Sequence, residues 1–155
     1  MDDKPIKDIR VSDVLEEAGQ TAPPAVVSVT ARLRDSVEAL VKESATRKVY
    51  VVDEERKLKG TITLEVLMRH AGYRLGVRGT GMTSFVRMLA ETSDDRVSEV
   101  MSKPVKVYHD EMLVNATKLM VENHLNDLPV VDKSDQLVAE LNGLMILRAS
   151  MKFWP

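Results

Sequence analysis

Three histidines, His70, His109 and His124, are the readiest acid–base groups in this chain. They are widely spaced, and none stands in a ligand pattern with acidic neighbours. No Ser-His-Asp order and no carboxylate pair emerges. The absence of cysteine removes disulfides, thiolate metal sites and thiol nucleophiles together. Two stretches can meet a phosphate. Gly76, Gly79 and Gly81 lie close to Arg74 and Arg78, and a glycine-rich loop with arginines can cradle an anion. Its spacing is not that of a phosphate loop and no Gly-Lys-Ser/Thr follows, so it reads as a flexible turn leading into a helix. Arg47 and Lys48 precede an apolar run, where such a pair serves either a phosphate or a solvated strand edge. Thr63 stands just before a helical pattern, where a hydroxyl either caps the helix or contacts phosphate. No catalytic or metal constellation is expected, and the chain does not read as an enzyme.

The elements that would position these residues come twice. VSDVL (Val11 to Leu15) recurs as VSEVM (Val97 to Met101), and VYVVD (Val49 to Asp53) as LPVVD (Leu128 to Asp132). KLKGTITLEVLMR (Lys57 to Arg69) aligns with QLVAELNGLMILR (Gln136 to Arg148). The last two pairs share an offset of 79 residues, and the first is offset by 86. Each copy opens with a short helix, then a β-branched strand, Ala25 to Val29 or Pro104 to Val107. An amphipathic helix follows. Its stripe is Leu33, Val37, Leu40 and Val41 in the first copy, with Asp35 and Glu38 at capping-box spacing. In the second copy it is Met112, Ala116, Leu119 and Met120, with Asp110 as N-cap. Two strands joined by the charged turns DEERK and DKSDQ come next, and a last helix closes each copy near residues 64–71 and 143–151. This is an α/β (α+β) chain of two βαββα repeats. The division is 1–71 for the first repeat with its N-terminal segment, 72–96 for an inserted linker, and 97–155 for the second repeat and tail. The linker is expected to hold a helix over Ser84 to Glu91 with Phe85, Met88 and Leu89 on its apolar face. A unit of about 50–60 residues buries a marginal core. Two copies packed sheet to sheet with pseudo-twofold symmetry would remedy that.

Composition agrees with a globular domain: 44% of residues are hydrophobic and 30% charged. The net charge of −2 comes with no long basic stripe, so nucleic acid is not an expected partner. The polar N-terminus does not resemble a signal peptide, and no run reaches the roughly 18 apolar residues of a membrane span. No membrane association is expected, and the expected compartment is the cytoplasm. Nine methionines read as adaptable core. Phe153 and Trp154 either fold back on the body or dock at an interface.

The second copy, VSEVMSKPVKVYHDEMLVNATKLMVENHLNDLPVVD, resembles a cystathionine-β-synthase (CBS) domain along nearly its whole length. The opening V-x-x-V-M, the helical A-x-x-L-M and the phrase H-L-x-x-L-P-V-V-D carry the likeness. The first copy keeps KVYVVD and KLKGTITLEVLM. The resemblance implies a regulatory module whose clefts between repeats take AMP, ADP, ATP or S-adenosylmethionine, and a homodimer forming a disc of four repeats. It also implies where contacts fall. The family's motif places Gly, then Thr or Ser, then Asp, at three-residue steps after the third strand. Here those slots hold Gly60, Thr63 and Val66 in the first copy, and Ala139, Asn142 and Met145 in the second, so the ribose-binding Asp is missing from both. Glu65 stands one position from the first slot, about 100° round a helix. Backbone at Lys48, Val49 and Tyr50, and at Asp127, Leu128 and Pro129, corresponds to the adenine-reading positions. Val27 and Val105 would line the clefts, and Arg47 and Lys48 would face phosphate. Pro129, which cannot donate to a ladder, also marks an edge or strand start.

Two readings follow. A ligand sensor keeps Gly60 and Thr63 at work in a cleft. A protein-interaction or dimerisation module, with an unidentified protein partner, leaves the clefts without nucleotide, as the missing Asp favours.

Overall fold

The computed structural model describes residues 4–19, 25–43, 47–75, 86–87 and 90–155. The order of elements is α1 (Val11–Ala18), β1 (Val26–Ser28), α2 (Leu33–Lys42), β2 (Lys48–Val52), β3 (Leu58–Thr63), α3 (Leu64–Leu75), α4 (Val97–Val100), β4 (Val107–Tyr108), α5 (Leu113–Glu122), β5 (Asp127–Val131), β6 (Leu137–Asn142) and α6 (Gly143–Ser150). A 3-10 turn, Met151–Phe153, follows α6. The strands form two three-stranded sheets, β1-β2-β3 and β4-β5-β6. In each, the first pairing is parallel and the second antiparallel. The parallel pair needs a crossover, which α2 and α5 supply, while a tight turn suffices for the antiparallel pair.

The repeat extends to single hydrogen bonds. Asp53 Oδ1 accepts from the N–H groups of Glu55 and Lys57, at 3.0 and 2.9 Å. Asp132 Oδ1 accepts from Ser134 and Gln136, at 2.8 and 3.0 Å. Each Asp thus closes its hairpin with its own side chain. Arg56 and Asp135 take the left-handed conformation at the same place in the turn, with φ of 62°. The register also shifts at the equivalent places, Val51/Val52 and Val130/Val131.

The compact units do not coincide with the sequence repeats. One unit comprises residues 24–104 and carries the first sheet. The other joins residues 1–23 to 105–155 and carries the second sheet. Helix α1 therefore packs with the strands of the later copy. Val11 N–H donates to Glu111 O and Leu113 N–H to Ile9 O, both at 2.9 Å. Val11, Val14 and Leu15 are buried in one core with Val107, Ala116, Leu128, Val130 and Leu141. Burying each of Val11, Val14 and Leu15 is worth about 1.5–3 kcal/mol, so α1 is integral to that unit. In the first-sheet unit α4 takes the matching place. Val97 N–H donates to Ala31 O and Leu33 N–H to Asp95 O, both at 3.0 Å, and Val97 joins Leu33, Val51, Ile62 and Leu67 in the core.

Several local expectations change. The strand read over Ala25 to Val29 is Val26–Ser28, and the one read over Pro104 to Val107 is Val107–Tyr108. Pro129 explains the second difference. Its equivalent, Tyr50, donates its N–H to Ala25 O at 3.0 Å, and Pro129 has no N–H to give. The parallel ladder of the second sheet accordingly begins one rung later, at Val107↔Val130. Pro129 itself lies inside central strand β5, at a point β4 does not reach.

Asp110 is not the cap of α5. Met112 holds that position, and Glu111 Oε1 accepts the Met112 N–H at 3.1 Å. Asp35 works from the third position of α2, accepting Arg32 N–H at 2.7 Å. In the α2 stripe Leu33 is buried, while Val37 and Val41 are exposed because they turn away from the sheet. Helix α3 runs to Leu75, so Arg74 is helical. Gly76, Arg78, Gly79, Gly81, Ser84, Phe85, Met88 and Leu89 lie outside the described residues. Among the described residues, no helix is long and apolar enough to cross a membrane.

Candidate functional site

Helices α3 and α6 start where strands β3 and β6 end, and a side chain caps each. Thr63 Oγ1 accepts the Val66 N–H at 3.1 Å, and Asn142 Oδ1 accepts the Met145 N–H at 3.0 Å. Both residues thus serve their helices, which satisfies an otherwise orphaned N–H. The turn into each helix is also tied to the residue that leads into the central strand of its sheet. Leu64 N–H donates to Arg47 O at 2.9 Å, and Gly143 N–H to Asn126 O at 2.8 Å.

Gly60 has a packing role. A Cβ there would lie 2.5 Å from Met101 Sδ and 2.8 Å from its Cγ. Beside it Thr61 and Ser102 exchange backbone bonds of 3.0 and 2.9 Å, which holds the segment after α4 along the edge of β3.

The first step of each closing helix borders a groove within its own unit. In the first-sheet unit, Val66, Arg69 and His70 of α3 face Glu99, Val100 and Ser102 across a cavity of about 260 Å³. His70 Nε2 lies 2.7 Å from Asp95 Oδ2, half-buried. Arg69 is paired along the helix with Glu65. Glu65 therefore turns to its own helix surface, as expected from a 100° rotation. In the second-sheet unit, Asn142, Leu144, Met145, Arg148 and Ala149 face Val14, Glu17 and Ala18 across about 220 Å³. Glu17 is held there by Lys152, at 2.7 Å.

The remaining expected contact residues divide between the two units. Arg47, Lys48, Val49, Tyr50 and Val27 lie in the first-sheet unit with Thr63 and Val66. Val105, Asp127, Leu128 and Pro129 lie in the second with Asn142 and Met145. Lys48, Val49, Tyr50, Leu128 and Pro129 are buried within strands. Val27 and Val105 are half-buried against their cores. Arg47 is exposed, and Asp127 is half-buried in register with Asn142. None of these borders the two grooves.

Apart from His70, already noted as an acid–base group, the grooves add residues that sequence reading did not assign to a site. Helical spacing from Val66 places Arg69 and His70 on the same side. No local pattern announces Glu99, Ser102, Val14 or Glu17, because their place depends on which sheet the preceding helix joins. Among the described residues, no cluster of three or more His, Asp or Glu side chains is arranged to hold a metal ion.

Comparison with known proteins bears on both repeats. A family model described as CBS domain matches residues 8–73 and again 97–149. A CBS domain-containing protein of Thermotoga maritima has a solved structure 29% identical to this chain, with a TM-score of 0.70, covering 94% of this chain and 96% of that one. CBSX2 of Arabidopsis thaliana, solved in complex with AMP, is 22% identical with a TM-score of 0.68, covering 93% and 97%. The CBS domain protein PAE2072 from Pyrobaculum aerophilum, complexed with AMP, is 17% identical with a TM-score of 0.66, covering 92% and 99%. No curated protein matches the sequence.

Proposed function

This chain belongs to the CBS domain family, and we propose that it is a cytoplasmic regulatory CBS-pair module that senses an adenosine-containing ligand rather than catalysing a reaction. The observation that carries this reading is the groove beside Val66. It brings a guanidinium, an imidazole, a carboxylate and a hydroxyl to one cavity near the start of a helix, a set of donors and acceptors that suits a polar ligand. Structures of two similar CBS proteins hold AMP, which makes AMP the first ligand to test, with ADP, ATP and S-adenosylmethionine beside it.

A ligand that binds only the native state at one hundred times its Kd adds about 2.7 kcal/mol of stability. A thermal-shift panel of the four compounds therefore tests the proposal. At least one should raise Tm in a concentration-dependent way. Equal melting with all four at millimolar concentration overturns it and leaves the interaction module, which a stable oligomer in sedimentation would support.

We further propose a homodimer, as a disc of four repeats. Exposed apolar residues recur at equivalent places on the closing helices, Met68 on α3 and Leu147 on α6. Leu144, Met151, Phe153 and Trp154 extend the exposed apolar surface at the end of the second-sheet unit.

A further inference from the structure

Both ribose-carboxylate slots hold apolar residues, Val66 and Met145, yet a glutamate borders the groove beside each. The two glutamates differ in what already holds them. Glu17 is bound to Lys152 at 2.7 Å, in a groove that Asn142 and Arg148 line along with Val14, Ala18, Leu144, Met145 and Ala149. Glu99 forms no ion pair among the described residues and shares its groove with Arg69, His70 and Ser102. Its backbone is well anchored, because Val97 beside it is fully buried, Glu99 N–H donates to Arg96 O at 3.1 Å, and Met101 N–H donates to Val97 O at 2.9 Å.

We propose that Glu99, from the helix opposite, supplies the carboxylate that Val66 cannot, accepting hydrogen bonds from the vicinal hydroxyls of a ribose in the first-sheet groove. An ionised carboxylate has acceptor sites for two hydroxyl protons at once. Arg69 stands on the same rim, one helical turn from Val66; its exposed pair with Glu65 is a weak one, and leaving it would let the guanidinium offset the negative charge of a nucleoside phosphate. The nucleotide site is thereby assigned to the first-sheet unit, and the second-sheet groove, with Glu17 engaged, takes no ribose.

This inference rests on the nucleotide reading above, and the experiment separates the two. Isothermal titration measures AMP and 2′,3′-dideoxy-AMP against the full chain and its Glu99→Gln and Glu17→Gln variants, with ligand-free melting as the folding control. The wild type should prefer AMP over the dideoxy compound by about tenfold or more, from hydrogen bonds to a charged group. Glu99→Gln should lose that preference, bind the dideoxy compound as the wild type does, and melt unchanged without ligand. Glu17→Gln should keep the preference. Retention of the diol preference in Glu99→Gln, or its loss in Glu17→Gln instead, overturns the role of Glu99 while leaving nucleotide sensing intact. If the wild type binds neither compound nor any other adenosine ligand, the nucleotide reading itself fails and the role of Glu99 with it.

Discussion

Gly60 and Met101 are packed so closely that a methyl group on Gly60 would overlap the Met101 side chain, with Sδ at 2.5 Å and Cβ at 3.0 Å. At the equivalent places in the second-sheet unit stand Ala139 and Leu15, both buried in one core. The two units thus divide the space differently: the larger strand residue, Ala139, accompanies the shorter side chain, Leu15, and the smaller, Gly60, accompanies Met101. Gly60 is therefore explained by close packing without any ligand.

Gly60→Ala is expected to destabilise the chain by about 1–3 kcal/mol, the usual cost of overpacking. Adding Met101→Leu should recover part of that loss, because it reproduces the Ala139–Leu15 pairing. Urea unfolding of the single and double variants measures both effects. An unchanged midpoint in Gly60→Ala would rule out the packing role.

Thr63→Ala and Asn142→Ala each remove an observed cap. Each should cost about 1 kcal/mol in the absence of ligand. Chemical denaturation without nucleotide is the deciding measurement, since a residue needed only for phosphate would leave ligand-free stability alone.

Asp13 connects stability to pH. The Lys4 ammonium, at 2.6 Å, is the largest influence and lowers the carboxyl pKa; burial opposes it, and the Arg10 N–H at 2.9 Å lowers it further. A carboxyl with a folded pKa below its ordinary 3.8 contributes stability that is fully present above that value. That contribution is lost as pH falls through the lower folded value. Asp13→Asn should therefore be less stable than the wild type at pH 7, and the difference should shrink in acid below about pH 4. Melting curves across that range check the sign.

The exposed α6 surface leads to a prediction about assembly. Leu147 is 57% exposed, so Leu147→Glu disturbs no core. If that face joins two copies, sedimentation should find the wild type as a dimer and the variant as a monomer of unchanged melting cooperativity. Equal sedimentation of the two proteins would count against a dimer through α6.

Much of this arrangement is legible in the residues alone, because it depends on neighbours in the chain. The offset of 79 residues carries over into matched hairpins closed by Asp53 and Asp132. It carries over as well into helices capped by Thr63 and Asn142. That Val66 and Met145, and no Asp, stand three residues after Thr63 and Asn142 is likewise visible in the residues alone. Other features were misread because neighbouring residues compete for one local role, as when Met112 rather than Asp110 holds the cap of α5.

Tertiary structure alone decided which sheet each opening helix joins. VSDVL and VSEVM carry nearly the same apolar pattern, so either copy could satisfy either core. Backbone bonds from Val11 to Glu111 and from Val97 to Ala31 make the choice. That choice brings Glu99 and Ser102 to the groove beside Val66, although more than 30 residues of sequence separate them from it. Local pattern determines what a segment is, whereas long-range burial and hydrogen bonding determine what it faces.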